Sequence, residues 1–88
     1  MRRENYGALQ RLVGRNLRKL RLENGMSQDK YAAVLGFARS YMGDVERGVR
    51  NLTLQSVEDL AHRAGVSPHT LLKPDEAYDN EKSRPADS

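Results

Sequence analysis

Apolar positions along the chain return at helical spacing. Leu9, Leu12, Val13, Leu17 and Leu20 recur every three or four residues, with Arg11, Arg15, Arg18 and Lys19 mostly between them, which predicts an amphipathic helix over 9–23. Gly14 lies inside that stretch and should cost about 1 kcal/mol relative to alanine, so the turn before it is expected to be separate or frayed. Asn24-Gly25 supplies a left-handed stop. Ser27 is a natural N-cap for a second helix over 28–35, with Tyr31, Ala32 and Leu35 on its inward stripe. Only half of a capping box is present, because Lys30 stands where Glu or Gln is needed. Gly36 breaks the run, and Phe37 is expected to bury in the turn.

A third helix is predicted over 38–47, with Arg47 in its last turn and Gly48 just past its end. Thr53 caps a fourth, whose Leu54, Val57, Leu60, Ala61 and Ala64 form one apolar face before Gly65. Ser67-Pro68 opens a short fifth helix carrying Leu71 and Leu72. With no strand pattern, the expected fold class is all-α: five helices in one compact domain over 9–73. An N-terminal extension (1–8) precedes it, and a tail (74–88) follows that is too polar and acidic to add a core and is expected to be disordered.

Charge adds a direction to this outline. Over the 88 residues the net charge is +3, but residues 1–50 hold 11 Lys/Arg against 5 Asp/Glu, residues 51–73 hold 2 against 2, and the tail holds 2 against 5. Positive charge is thus concentrated in the first fifty residues, where the first three helices lie; on charge alone, a solvated basic face explains this as well as a polyanionic partner does. The absence of cysteine excludes disulfides, thiol catalysis and Cys-based zinc fingers, and His62 and His69 are too few for a His-rich site, so neither metal nor cofactor is expected. No apolar run approaches the length of a membrane span, and the basic start leads into no apolar signal segment, so the cytoplasm is the expected location. No Ser/His/Asp set, carboxylate pair or phosphate loop occurs at usable spacing, so an enzyme is not expected.

Two short helices joined by a Gly-containing turn are the physical content of a helix-turn-helix. Ala32 is small enough to let the third helix cross closely over the second, Gly36 permits the reversed backbone, and Met42 with Val45 anchor the third helix inward. An advance of about 100° per residue puts Ala38, Met42 and Val45 on one side and Arg39, Ser40, Gly43, Asp44 and Arg47 on the other. An arbitrary solvated helix would show a similar polar face; two arginines on the second helix of such a pair, in the basic half of the chain, favour contact with DNA.

From Val13 to Lys73 the chain resembles the Cro/phage-repressor type of helix-turn-helix regulator, the XRE-like family. The matching stretches are Arg18-Lys19-Leu20-Arg21, Gly25-Met26-Ser27-Gln28, Ala32-Ala33-Val34-Leu35-Gly36 and Tyr41-Met42-Gly43-Asp44-Val45-Glu46-Arg47-Gly48. Within it, Arg39-Ser40-Tyr41 and Arg50-Asn51-Leu52-Thr53-Leu54 are most similar to controller proteins of restriction-modification systems. The resemblance implies a lambda-repressor-like domain whose third helix lies in the major groove of double-stranded DNA, with Arg39, Ser40, Tyr41 and Asp44 facing bases. Arg39 would be the strongest reader, since its fork can bond guanine O6 and N7 together. Tyr41 is shared between DNA and core packing, and Asp44 is expected mainly to pair with Arg47 one turn on. Gln28, Arg47, Arg50 and Asn51 would meet phosphates, and Arg21 with Glu46 would tie helix 1 to the end of helix 3.

Three departures from the family pattern stand out. Ala38 replaces a capping Ser or Thr, leaving the start of helix 3 to be ordered by DNA or a neighbour; Tyr31 replaces a Leu; and Gly43 is expected to leave the centre of the reading face bare. Reading two half-sites by symmetry calls for a homodimer, with Val66, His69, Leu71 and Leu72 as interface candidates and simple core closure as the alternative for each. No small-molecule ligand is expected, and an output at promoters would make RNA polymerase a further partner. The leading reading is a controller-type autoregulator; an antitoxin, a phage-type repressor and a protein-binding module remain open beside it. The acidic tail is expected to compete weakly with DNA for the basic half. Truncation after Lys73 should then tighten non-specific DNA binding at low salt in a titration, and unchanged affinity would count against it.

Overall fold

The computed structural model describes residues 7–74, folded as α1 (Ala8–Glu23), α2 (Gln28–Leu35), α3 (Arg39–Arg47), α4 (Leu54–Ala64) and α5 (Pro68–Leu72). No strand forms among the described residues. The expectations for the first six residues and for the tail beyond Pro74 lie outside them. None of the described helices is long and apolar enough to cross a membrane.

Four of the five helices have 11 residues or fewer, too short to persist alone in water, so packing must hold them. Val13 and Leu17 of α1 meet Tyr31, Ala32 and Leu35 of α2, Met42 and Val45 of α3, Val57, Leu60 and Ala61 of α4, and Leu71 of α5, and Leu12 of α1 is buried as well. Each large side chain fully removed from water contributes about 1.5–3 kcal/mol, enough to convert weak local preference into a fixed fold. Side-chain caps set the starts of three helices: Ser27 Oγ accepts from the Lys30 N–H at 3.1 Å, Thr53 Oγ1 from Ser56 at 3.0 Å, and Ser67 Oγ from His69 at 3.0 Å. Ala38 can offer no such bond. It stands exposed outside α3, which begins one residue later than the periodicity suggests.

Other expectations are corrected by packing. Leu9 and Leu54 share the periodicity of the inward faces but are 60% and 81% exposed, because each sits at the first turn of its helix, beyond the edge of the core. Leu71, a candidate for an interface between copies, has no exposed surface in the single chain and closes the core, the alternative stated for it. Val66 and Leu72 are half-buried against the same core, and His69 is exposed with Nδ1 3.2 Å from Ser67 Oγ.

Gly14 is the most informative correction. The helix runs through it without a break, and a Cβ there would lie 2.3 Å from the Val45 carbonyl oxygen and 2.7 Å from that of Glu46. Glycine is required for α1 to touch the backbone at the end of α3. Two residues on, the buried Asn16 amide donates to the carbonyls of Leu71 at 2.7 Å and Lys73 at 2.8 Å, fastening the end of α5 to α1. Gly14→Ala should therefore lower stability by about 1–3 kcal/mol in urea denaturation, opposite in sign to its gain in helix propensity. A stabilised variant would show that α1 and α3 can separate at no cost.

Candidate nucleic-acid interface

The turn between α2 and α3 is built first by backbone conformation. Gly36 adopts φ 83°, and the N–H groups of Gly36 and Phe37 both donate to the Ala32 carbonyl, at 2.8 and 2.9 Å. Arg63, from α4, then clamps this turn: its Nη1 donates to the Leu35 carbonyl at 3.0 Å while Nε donates to Asp59 at 3.1 Å. A cation at the C-terminal end of α2 also complements that helix's dipole.

The same guanidinium lies 4.7 Å from the centre of the Phe37 ring. Phe37 packs on Tyr41 with ring centres 4.9 Å apart and planes inclined by 34°, and the Arg50 guanidinium covers Tyr41 at 4.7 Å. A stack Arg63–Phe37–Tyr41–Arg50 therefore runs from α4, through the turn and α3, into the loop beyond α3. Burial pushes the Tyr41 phenol up despite the nearby Arg50, so the hydroxyl remains a neutral donor at ordinary pH. Sequence reasoning missed Arg63. Its i,i+4 pairing with Asp59 was legible, but its reach to α2 was not.

A charged junction fixes the far end of α3. Arg21 Nε donates to Glu46 Oε2 at 2.7 Å, Nη2 to Oε1 at 3.0 Å, and Nη1 to the Met26 carbonyl at 2.9 Å. The two side chains are 11% and 4% exposed, and the hydrogen bond to Glu46 holds the Arg21 guanidinium above its usual value. Gln28 Nε2 also donates to Glu46 Oε1, at 3.0 Å. Gln28 is thus tied to α3 through one N–H of its amide and keeps a second for another acceptor. Gly43, expected to leave the reading face bare, is instead buried beneath neighbours: a Cβ would meet Arg47 Nη1 at 3.3 Å and Gln28 Oε1 at 3.8 Å.

On the outer surface of α3, Arg39 and Ser40 are exposed, Tyr41 is half-buried, and Asp44 is one-third exposed. Asp44 pairs with Arg47, as expected, and its Oδ2 also lies 3.6 Å from Arg50 Nη1. Arg39 Nε is 2.6 Å from Asp29 Oδ1 on α2, a contact the sequence pattern did not reveal. Asn51 Oδ1 accepts from Gln10 Nε2 at 3.1 Å, joining the loop to α1. Exposed ion pairs of this kind are worth about 0–1 kcal/mol, so these arginines can exchange a carboxylate for a stronger acceptor. The face therefore carries two forked donors in reach of solvent on a helix fixed at both ends, Arg39 and Arg47, and a third, Arg50, from the loop that follows it.

The helix-turn-helix family matches residues 17–71. Control protein C.BamHI of Bacillus amyloliquefaciens is 40% identical over 62 residues, covering 69% of this chain and 76% of that protein. Among solved structures, the restriction-modification controller protein C.AhdI from Aeromonas hydrophila aligns with a TM-score of 0.64 and 39% identity over 76% of this chain and 97% of its own. The transcription factor NHTF from Neisseria, described as hypothetical, aligns with a TM-score of 0.69 and 32% identity over 83% and 84%.

Truncating one partner of the buried pair should strand a charge. Glu46→Ala is expected to cost about 3–5 kcal/mol in urea denaturation, and Arg21→Met combined with Glu46→Leu much less. Equal losses for the single and double variants would show that the junction acts through packing rather than charge.

Proposed function

The chain belongs to the XRE-like helix-turn-helix family of DNA-binding transcription regulators, and on that premise we propose a controller-type autoregulator that binds a palindromic operator as a homodimer. The observation that carries the proposal is the position of Arg39 and Ser40. They are the first two residues of α3, exposed, on a helix whose end is locked by Arg21–Glu46 and whose start is held by the Phe37–Tyr41 stack.

In this proposal α3 enters the major groove by its N-terminal end, where such helices reach base edges. Arg39 bonds guanine, Ser40 assists, Tyr41 reaches a base or phosphate with its hydroxyl edge, and Asp44 serves chiefly to orient Arg47 and Arg50. Gln28, through its second N–H, joins Arg47, Arg50 and Asn51 in holding phosphates, which set register and orientation rather than sequence. One helix reads only a few base pairs, so a second copy supplies the other half-site, with Val66, His69 and Leu72 as contacts on the face away from α3. A cytoplasmic location and contact with RNA polymerase at the promoter belong to the same proposal. The likeness to C.BamHI and C.AhdI supports the controller reading over the antitoxin and phage-repressor alternatives.

Selection from random duplexes tests this directly: the retained sequences should form a palindrome with half-sites about 34 Å apart along the helix axis. Within it, Arg39→Ala should relax one base position and cost about 1–3 kcal/mol of operator affinity. Loss spread evenly over all operator variants would reduce Arg39 to a phosphate contact, and a single unrepeated half-site would remove the dimer.

A further inference from the structure

We propose that Asp29, in the first turn of α2, is a specificity-determining positioning residue that sets how Arg39 meets DNA, an inference that rests on Arg39 being the base reader. Arg39 Nε lies 2.6 Å from Asp29 Oδ1, so the contact spans the two helices of the helix-turn-helix. A guanidinium offers two donor edges, a side edge that includes Nε and a terminal edge formed by the two Nη groups. Asp29 Oδ1 sits beside the Nε end of the first as an ion pair, without the alignment of a hydrogen bond. The terminal edge is left as the free fork, and its two parallel donors match guanine O6 and N7.

The same contact acts against the wrong ligand. A phosphate that engages the side edge of Arg39 must sit beside the Asp29 carboxylate, like charge against like charge. A guanine approached by the terminal edge leaves the carboxylate in place. Asp29 therefore handicaps backbone binding more than base binding, and discrimination gains although no atom of Asp29 touches a base. Stability does not account for the pair. Its side chains are 67% and 72% exposed, and screening leaves such a contact little weight in the fold. The cap of α2 belongs to Ser27 and is independent of it.

The test uses the full chain and two duplexes of equal length, the selected operator and a random sequence, at one fixed salt concentration, because phosphate contacts make affinity salt-dependent. Asp29→Ala should bind the random duplex more tightly and lower the operator-to-random affinity ratio about tenfold, with guanine preference relaxed at the position read by Arg39. Asp29→Asn, which keeps the size and one acceptor, should shift the ratio in the same direction by less. In an Arg39→Ala background, removing Asp29 should change the ratio less than twofold. An unchanged ratio in the parent background, or an equal fall in both backgrounds, would overturn the role of Asp29. Base-selective loss in Arg39→Ala with no effect of Asp29→Ala sinks this proposal alone. Uniform loss in Arg39→Ala overturns the reading of Arg39, and this proposal with it.

Discussion

Glu46 brings a carboxylate to a place where only 4% of its side chain reaches solvent, and a charge so placed is tolerable only if its neighbours replace the water it has lost. Arg21 does so with two parallel hydrogen bonds and Gln28 adds a third, while Arg21 spends its remaining Nη1 on the Met26 carbonyl. Four segments thereby meet at one ion pair: the end of α1, the loop after it, the start of α2 and the end of α3. Apolar packing among these helices could tolerate small slides, but a fork bonded to a carboxylate tolerates few. The angle at which α3 leaves the body is set here, and with it the direction in which the exposed arginines of its outer face are presented.

What was legible from the residues was whatever depends on local chemistry. Ser27, Thr53 and Ser67 announce helix starts because each cap bonds within three residues, and Gly36 announces a turn because φ 83° is cheap only for glycine. The Arg21–Glu46 junction came from resemblance, which carries long-range information that periodicity lacks. The misreadings share one cause. Gly14 looks like a flaw in α1 and Gly43 like a gap in the reading face when each helix is considered alone; the first admits the backbone of α3, and the second lies under Arg47 and Gln28. Asn16, Arg63 and Asp29 went unnoticed for the same reason, since their partners lie on other helices and no spacing within one helix encodes them.

The outer face of α3 is less positive than a count of arginines suggests. Arg39, Arg47 and Arg50 each have a carboxylate beside them, Asp29 in the first case and Asp44 in the others. Such an arrangement gives up some non-specific attraction to any polyanion and keeps the guanidinium planes oriented before a ligand arrives. Arg50 is oriented further by the Tyr41 ring, so a loop residue borrows rigidity from the helix it follows.

The Asn16 clamp has a consequence for how the chain can be lengthened. Gly14 faces α3 and Asn16, about 200° further round α1, faces α5, so Lys73 is held on the side of α1 turned away from α3. A segment fused behind Lys73 sets off from the rear of the molecule. An addition made at that point starts from the α5 side of α1 and leaves the α1–α3 contact at Gly14 untouched.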